Sequence, residues 1–245
     1  MIRSALAKRF VLAPCIGPRL LPCTPDLLIL HYTGMESAER ACAWLCNPAS
    51  RVSCHYLVDE QGIITQMAGE EMRAWHAGKS SWEGETDSNS RSVGIEIHNP
   101  GHSLGYPHFP TEQMKAVIKL CRDIVARHGI SPRHVLAHSD VAPLRKIDPG
   151  EKFDWAWLSR EGIGHWVPPA VIGSGQFFQL GDRGQPIGAL QSMLALYGYG
   201  IEISGEFDKT TQLVVKAFQR HFRQARVDGV ADRSTIDTLH RLLAS

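Results

Sequence analysis

The sequence lacks any apolar run of the about 18 residues that a membrane-spanning helix needs. It also lacks a charge bias, since the net charge is +1 at pH 7, whereas nucleic-acid-binding domains usually carry a basic face. The first 20 residues do not form a convincing signal peptide, because Lys8 and Arg9 interrupt the apolar stretch and prolines follow closely. We therefore expect a soluble protein that does not bind nucleic acid. A cytoplasmic location is favoured, and a periplasmic or cell-envelope location stays open.

The sequence also lacks the cysteine spacing of a disulfide framework. Cys42 and Cys121 fall at apolar positions of helical patterns, which favours free, buried thiols in a reducing compartment. Cys42 and Cys46, with the nearby pair Cys54-His55, could suggest a second metal site. A CxxxC pattern on an amphipathic helix mostly serves packing, so this interpretation is not favoured.

Length and pattern indicate two domains. With 245 residues and 43% hydrophobic content, the chain can form one large domain and one small one. Strands and helices are mixed in the first part, which predicts an α/β domain with a mixed central β-sheet flanked by helices over residues 1–168, its core starting near residue 11. Residues 169–178 read as a linker, and residues 179–245 as a small three-helix domain.

The elements of the first domain follow from apolar periodicity and turn residues. They are predicted as a strand at 27–34, a helix at 36–46, a hairpin of strands at 52–58 and 63–67, a strand at 92–98, a helix at 111–128 and a strand at 135–138. Thr111 is predicted to cap its helix. Residues 70–90 contain two tryptophans without periodicity, and a loop of this length usually serves binding.

The C-terminal part contains an internal repeat. The pattern Gly205-x-x-Asp208-x-x-Thr211 recurs 24 residues later, starting at Gly229 with Asp232 in the aspartate position. Each aspartate is placed to cap the helix that follows, and each glycine to form the turn before it. This repetition predicts a three-helix unit.

Two histidines and one aspartate stand where strands leave the core. His31 ends the apolar run LLIL, His138 follows the strand predicted at 135–138, and Asp148 lies in the loop after it. A catalytic zinc site uses three protein ligands and leaves the fourth position open, whereas a structural site uses four. His31, His138 and Asp148 are therefore a candidate catalytic zinc set.

Two further residues complete a possible reaction centre. Glu96 alternates with the apolar residues of its strand, so it points away from them, with a glycine nearby to leave room. Lys146 leaves an extended segment on the same side as Asp148. Glu96 could take a proton from water, and Lys146 could stabilise an oxyanion, which fits metal-assisted amide hydrolysis. Taken singly, each of these residues is more often structural or simply exposed to solvent.

Five motifs in order now identify a family resemblance: LHYTGM at 30–35, SCHYLVDEQG at 53–62, RAWHAG at 73–78, SVGIEIHNPG at 92–101 and HSDVAPLRKIDPG at 138–150. They resemble the amidase-2 family of zinc N-acetylmuramoyl-L-alanine amidases, over residues 11–165. The resemblance implies the mixed-sheet fold, Zn²⁺ on the three candidate ligands, Glu96 as the catalytic glutamate and Lys146 as the oxyanion-stabilising lysine. The implied reaction cleaves the lactyl amide between N-acetylmuramic acid and L-alanine.

The resemblance extends to substrate contacts and to the second domain. Tyr56 matches an active-site-lining tyrosine, while Trp75, His76 and Asn99 match motif positions that shape the substrate groove or serve only as scaffold. Residues 179–245 are similar to the three-helix peptidoglycan-binding domain found beside wall hydrolases. Peptidoglycan or muropeptides, including the 1,6-anhydro form, are the implied partners of a monomeric enzyme.

Two alternatives belong to other functional classes. A recognition protein could bind peptidoglycan without cutting it, although such a protein would lack a ligand or the glutamate. A transpeptidase or cysteine peptidase would need a Cys-His pair, and the adjacent Cys54 and His55 would point to opposite faces of a strand.

Overall fold

The computed structural model describes residues 3–20 and 24–245. Its strands are β1 (Arg9–Phe10), β2 (Ile16–Pro18), β3 (Leu27–Tyr32), β4 (Tyr56–Val58), β5 (Ile64–Gln66), β6 (Met72–Ala74), β7 (Ser92–Ile97), β8 (Val135–Ala137), β9 (Phe177–Phe178) and β10 (Ala231–Asp232). Its α-helices are α1 (Ala38–Leu45), α2 (Ser88–Arg91), α3 (Thr111–His128), α4 (His138–Val141), α5 (Trp155–Arg160), α6 (Gln185–Tyr197), α7 (Lys209–Phe222) and α8 (Arg233–Ala244).

Six strands form the central sheet in the order β1-β5-β4-β7-β3-β8. Strands β4 and β5 are antiparallel, while the other neighbouring pairs are parallel. The smaller pairs β2–β6 and β9–β10 are antiparallel. The predicted mixed sheet flanked by helices is therefore confirmed, and so is the predicted hairpin, in the shorter form β4–β5.

Three local predictions need correction. Thr111 is the first residue of α3, and Pro110 holds the cap position without a side-chain hydrogen bond. The strand predicted at 135–138 ends at Ala137, because His138 already begins the four-residue helix α4. The loop predicted at 70–90 contains the short strand β6 and the short helix α2, which lack a sequence period long enough to detect.

The alternating residues of β3 contribute to two different cores. Leu28 and Leu30 pack with residues of α3 on one face of the sheet. Leu27 and Ile29 face the other way and join a core that also contains residues of α6, α7 and α8. Because a strand points successive side chains to opposite faces, the second face of the sheet is covered partly by the C-terminal helices.

The two predicted helix caps are confirmed. Asp208 accepts a hydrogen bond from the Thr211 amide at 2.7 Å, and Asp232 accepts one from the Thr235 amide at 2.8 Å. Each turn is also held by a buried glutamine that the sequence did not single out. The Oε1 of Gln191 accepts from the Gly205 amide, and the Oε1 of Gln219 accepts from the Gly229 amide.

Membrane-spanning helices and disulfides were both expected to be absent. Among residues 3–20 and 24–245, no helix is long and apolar enough to cross a membrane. The five described cysteines are free, and Cys121 is buried as predicted, whereas Cys42 is only half-buried. Cys23 lies outside the described residues.

Candidate active site

The site lies at the carboxyl ends of three neighbouring parallel strands. His31 is the penultimate residue of β3, Glu96 lies in register with it on β7, and His138 follows β8. Parallel strands bring their carboxyl ends to one edge of a sheet, where α/β proteins place their ligands. Asp148 arrives from the following loop, and its carbonyl accepts a hydrogen bond from the Ser139 amide at 3.0 Å.

The three candidate ligands converge although they are separated by more than a hundred residues. The Nδ1 atoms of His31 and His138 lie 2.8 Å apart. The Oδ2 atom of Asp148 lies 3.2 Å from Nδ1 of His31 and 3.0 Å from Nδ1 of His138. In a tetrahedral zinc site with bonds of about 2.1 Å, neighbouring ligand atoms are about 3.4 Å apart. The observed separations are shorter than this by 0.2–0.6 Å, so the three atoms already surround one point and would have to move apart only slightly to hold zinc.

A hydrogen-bond chain behind His31 fixes which ring nitrogen is free to bind a metal. The Ser92 hydroxyl donates to the Ser88 carbonyl at 2.5 Å, so its oxygen accepts from Nε2–H of His76 at 3.1 Å. His76 Nδ1 is then an acceptor, and it receives Nε2–H of His31 at 2.9 Å. The lone pair of His31 Nδ1 therefore faces the convergence point. This arrangement is typical of metal-binding histidines, whose second nitrogen donates to an outer partner.

His138 is oriented in the same way by a backbone group. Its Nε2 lies 3.1 Å from the Ala77 carbonyl, which can only accept, so Nε2 carries the hydrogen. The lone pair of Nδ1 then points towards His31 and Asp148. Both imidazoles therefore direct their Nδ1 atoms towards the same point beside Asp148.

The electrostatic state of these side chains agrees with metal binding. Burial, with a smaller contribution from His138, lowers the pKa of His31 to about 4, so the ring is neutral at pH 7. Burial, with His31 next, also lowers the pKa of His76 well below its usual value. Burial by itself would raise the pKa of Asp148, but the two histidines hold it well below its usual range. Zinc binds neutral imidazole and ionised carboxylate groups, so the lowered pKa values of His31 and Asp148 favour metal binding.

Glu96 is a buried carboxyl group with a free acceptor. Its Oε2 atom is buried and has no hydrogen-bond partner among the described residues. Burial, with the Asp148 charge next, raises the pKa of Glu96 well above its usual value, and Lys146 acts in the opposite direction. A carboxyl group with a raised pKa beside a cavity is suited to accept and return a proton.

Gly94 was predicted to leave room for Glu96, but it makes room for His76 instead. A Cβ atom at Gly94 would lie 2.5 Å from the His76 ring, so only glycine lets His76 pack against β7. The space thus serves the hydrogen-bond chain behind His31.

A cavity of about 420 Å³ opens over these residues. His138, Asp148, Glu96, His76 and Lys146 all lie in its lining. The structure therefore brings together the five residues predicted to carry the chemistry, together with His76.

The remaining sequence predictions fare differently. The prediction that Tyr56 lines the active site is wrong, because Tyr56 does not line the cavity. Its side chain lies on the α3 face of the sheet, opposite to that of its neighbour Leu57, and donates a hydrogen bond to Glu70. Asn99 is also absent from the lining, since its buried side chain holds its own loop through the Pro107 carbonyl and the Gly101 amide.

Two tryptophans near the site differ in their relation to the cavity. Trp75 is 39% exposed with Arg73 over its ring at 4.2 Å, outside the cavity lining, so a substrate contact for it stays a prediction. Trp44 was missed, although it lines the cavity and is 47% exposed. Its signal was available, because it falls off the apolar stripe of α1.

The thiol alternative lacks an activated nucleophile. Burial, with the Glu96 charge next, raises the pKa of Cys54 well above its usual value, whereas reactive cysteines have lowered values. His55 is occupied as well, by the Gly94 amide and the Met72 carbonyl.

A mixed sheet with two histidines, an aspartate and a free buried glutamate at its carboxyl edge is the arrangement of a metal-dependent hydrolase. Comparison with known families makes this class specific. An N-acetylmuramoyl-L-alanine amidase profile, Amidase_2, matches residues 22–151, and a peptidoglycan-binding domain profile matches residues 183–239. The chain therefore belongs to the N-acetylmuramoyl-L-alanine amidase family.

Individual relatives support this assignment over most of the chain. The N-acetylmuramoyl-L-alanine amidase AmiD of Escherichia coli K12 is 38% identical, over 85% of this chain and 79% of its own length. The 1,6-anhydro-N-acetylmuramyl-L-alanine amidase AmpD of Citrobacter freundii is 32% identical, over 54% of this chain and 78% of its own length.

Solved structures agree with the fold. E. coli AmiD, solved with anhydro-N-acetylmuramic acid-L-Ala-D-γ-Glu-L-Lys, is 33% identical with a TM-score of 0.79, covering 93% of this chain and 92% of the other. AmpDh3 from Pseudomonas aeruginosa, solved with an anhydromuramic pentapeptide, is 27% identical with a TM-score of 0.73, covering 90% and 92%.

Proposed function

We propose that this protein is a zinc-dependent amidase that cleaves the bond between the lactyl group of N-acetylmuramic acid and L-alanine of the stem peptide. The observation that carries the proposal is the convergence of two oriented Nδ1 lone pairs and the Asp148 carboxylate beside the free oxygen of Glu96. His31, His138 and Asp148 would hold the metal. A recognition protein without activity would have no need of Glu96 in this position.

The chain's own residues then have distinct roles. A bound zinc ion supplies Lewis-acid polarisation of the amide carbonyl and makes water more acidic. Glu96 takes the proton from the attacking water and delivers it to the amide nitrogen as the C–N bond breaks. Lys146 carries a positive charge in the cavity lining and stabilises the negative charge that develops on the carbonyl oxygen.

The substrate class rests on the relatives. E. coli AmiD and P. aeruginosa AmpDh3 were both solved with anhydromuramic peptides. We therefore propose muropeptides, including 1,6-anhydro forms, and polymeric peptidoglycan as substrates. With residues 1–168 as catalytic domain and 169–178 as linker, residues 179–245 would bind the polymer and raise the local concentration of enzyme.

A digestion experiment tests this function. Purified protein is incubated with intact sacculi and with anhydromuropeptide, with added zinc and after chelation, and the released ends are identified by mass spectrometry. We expect free L-alanine amino termini that disappear on chelation, return with zinc, and are absent with Glu96→Ala. Glu112→Gln, an exposed carboxylate on α3, serves as the matched control. Cleavage that survives chelation would exclude the proposed mechanism.

Two further properties complete the proposal. Five free thiols among the described residues support action in a reducing compartment, namely the cytoplasm. We also propose a monomer. Cell fractionation and light scattering of the purified protein test these two points.

A further inference from the structure

Asp140 is a buried charge next to the candidate metal site that takes no part in binding the metal. It lies two residues after His138 in helix α4, and its side chain is fully buried. Its Oδ1 accepts a hydrogen bond from the Tyr199 hydroxyl at 2.8 Å. Its Oδ2 accepts from His221 Nδ1 at 2.7 Å and from the Ala137 amide at 2.8 Å. Two of the three donors to Asp140 therefore belong to the C-terminal helical region.

Helix α4 depends on this carboxylate for its geometry. Four residues are too few for a helix to be stable by itself, so packing must fix its position. The residue before the helix, Ala137, has no side-chain acceptor to cap it. Asp140, the third residue of the helix, instead accepts from the Ala137 amide itself, so its placement ties the first turn, which carries His138, to the residue before it.

The two donors from the C-terminal region are themselves held firmly. Tyr199 and His221 are each 2% exposed. The His221 ring stacks on Trp155 with centroids 3.7 Å apart, and the Tyr199 ring meets Trp82 edge-on at 5.2 Å. Burial, with the Asp140 charge next, raises the pKa of Tyr199 well above its usual value, so the hydroxyl stays a donor.

A close backbone contact next to Tyr199 strengthens this attachment. A Cβ atom at Gly198 would lie 2.5 Å from the Trp82 ring, so the chain leaving α6 approaches the catalytic region closely enough to require glycine. The C-terminal helices and the sheet also share one apolar core. The two regions are therefore joined at a fixed interface, which a flexible tether would not require.

We propose that Tyr199 and His221 are positioning residues for His138, so that the C-terminal module forms part of the support of the metal site in addition to binding the wall. This inference rests on the proposed function, because it takes His138 as a metal ligand. Without the two donors, the buried Asp140 carboxylate would lose two charge-assisted hydrogen bonds. It would then shift towards other donors, and His138 would lose its orientation towards His31 and Asp148.

The mildest test is Tyr199→Phe in the full-length protein, which removes one hydroxyl and keeps the ring against Trp82. We expect zinc affinity, measured by competition with a chromophoric chelator, to fall about 10-fold, within the range for outer-shell partners. kcat on soluble anhydromuropeptide should fall while KM and binding to insoluble peptidoglycan stay unchanged. The control is Arg133→Gln, which removes a contact to the Tyr197 carbonyl at the opposite end of β8 and should leave zinc affinity unchanged.

A pair of substitutions at His221 separates hydrogen bonding from packing. His221→Phe keeps a ring against Trp155 and loses the donor, whereas His221→Gln keeps a donor and loses the ring. If His221 acts by positioning, zinc affinity should fall about 10-fold in the Phe variant and recover at least partly in the Gln variant. If only packing matters, the order is reversed.

The outcomes distinguish this inference from the proposed function. Wild-type zinc affinity in both Tyr199→Phe and His221→Phe, with normal melting curves, would overturn the positioning role and leave the amidase intact. A wild-type protein that binds no zinc and cleaves no muropeptide would overturn both. If His221→Phe fails to fold, Tyr199→Phe decides alone.

Discussion

Two glutamates with buried carboxyl oxygens have opposite hydrogen-bonding environments. Glu70 is 6% exposed and accepts hydrogen bonds from Tyr56, from both Nη atoms of Arg127 and from Nε2 of His128. Burial alone would raise the pKa of Glu70, but Arg127 and His128 bring it well below its usual value. Glu96 has a buried oxygen without a partner among residues 3–20 and 24–245, and burial raises its pKa.

The difference shows how one residue type serves structure or chemistry. A carboxylate surrounded by donors is fixed in its charged form and holds elements together, here β4 and the last turn of α3. A carboxyl group without donors is unstable as a charge and keeps its lone pair available for a proton. The number of hydrogen-bond donors therefore separates the structural glutamate from the candidate general base.

The largest expected effect is on activity in Glu96→Gln. The amide keeps the shape of the side chain and cannot accept and return the proton, so kcat should fall about 10²- to 10⁴-fold. The melting temperature should not fall, because the substitution removes a poorly solvated carboxyl group. Turnover of anhydromuropeptide and a thermal melt measure the two effects. Activity within tenfold of wild type would show that Glu96 is not the base.

Glu70→Gln should lower stability and leave activity unchanged. An amide cannot accept hydrogen bonds from Arg127, His128 and Tyr56 together. Because Arg127 is 39% exposed, solvent screens part of its interaction with Glu70, which limits the loss of stability. We expect the free energy of unfolding to fall by about 1–3 kcal/mol, measured by urea denaturation, with kcat unchanged. The control Glu112→Gln, which breaks an exposed pair with Lys115, should cost less than 1 kcal/mol. A loss of activity without a loss of stability would contradict the structural role.

The pH dependence of stability should differ between the wild-type protein and Glu70→Gln. The pKa of Glu70 is lower in the folded state than the usual about 4.3 of the unfolded chain, so its contribution is present above that value and is lost as the pH falls. The difference in unfolding free energy between wild type and Glu70→Gln should therefore shrink from pH 6 to pH 3. Other carboxylates titrate equally in both proteins and cancel. A constant difference across this range would show that Glu70 is not charged in the folded state.

The sequence predicted those parts of the molecule that depend on local pattern. A short apolar run identified β3, alternation identified β7, and the repeated aspartates identified the caps of α7 and α8. Ordered motifs then identified the candidate ligands, which the topology brings together because β3 and β8 are parallel neighbours.

The remaining features depend on pairings that no local pattern encodes. The partners of Asp140 lie 59 and 81 residues away in the chain, and those of the Glu70 carboxylate lie on two other segments, β4 and the end of α3. Tyr56 was misplaced for the same reason. Its motif suggested the active site, but the register of β4 turns its side chain to the α3 face.

The smallest expected effect, in Tyr56→Phe, tests that correction directly. The substitution removes one donor to Glu70 and leaves Arg127 and His128 in place, so the free energy of unfolding should fall by about 1 kcal/mol. For a chain of this size, the melting temperature should fall by about 2–4 °C. kcat and KM should stay within twofold of wild type, because Tyr56 points to the α3 face and does not line the cavity. A tenfold loss of kcat at an unchanged melting temperature would instead return Tyr56 to the active site and leave Glu70 without one of its structural donors.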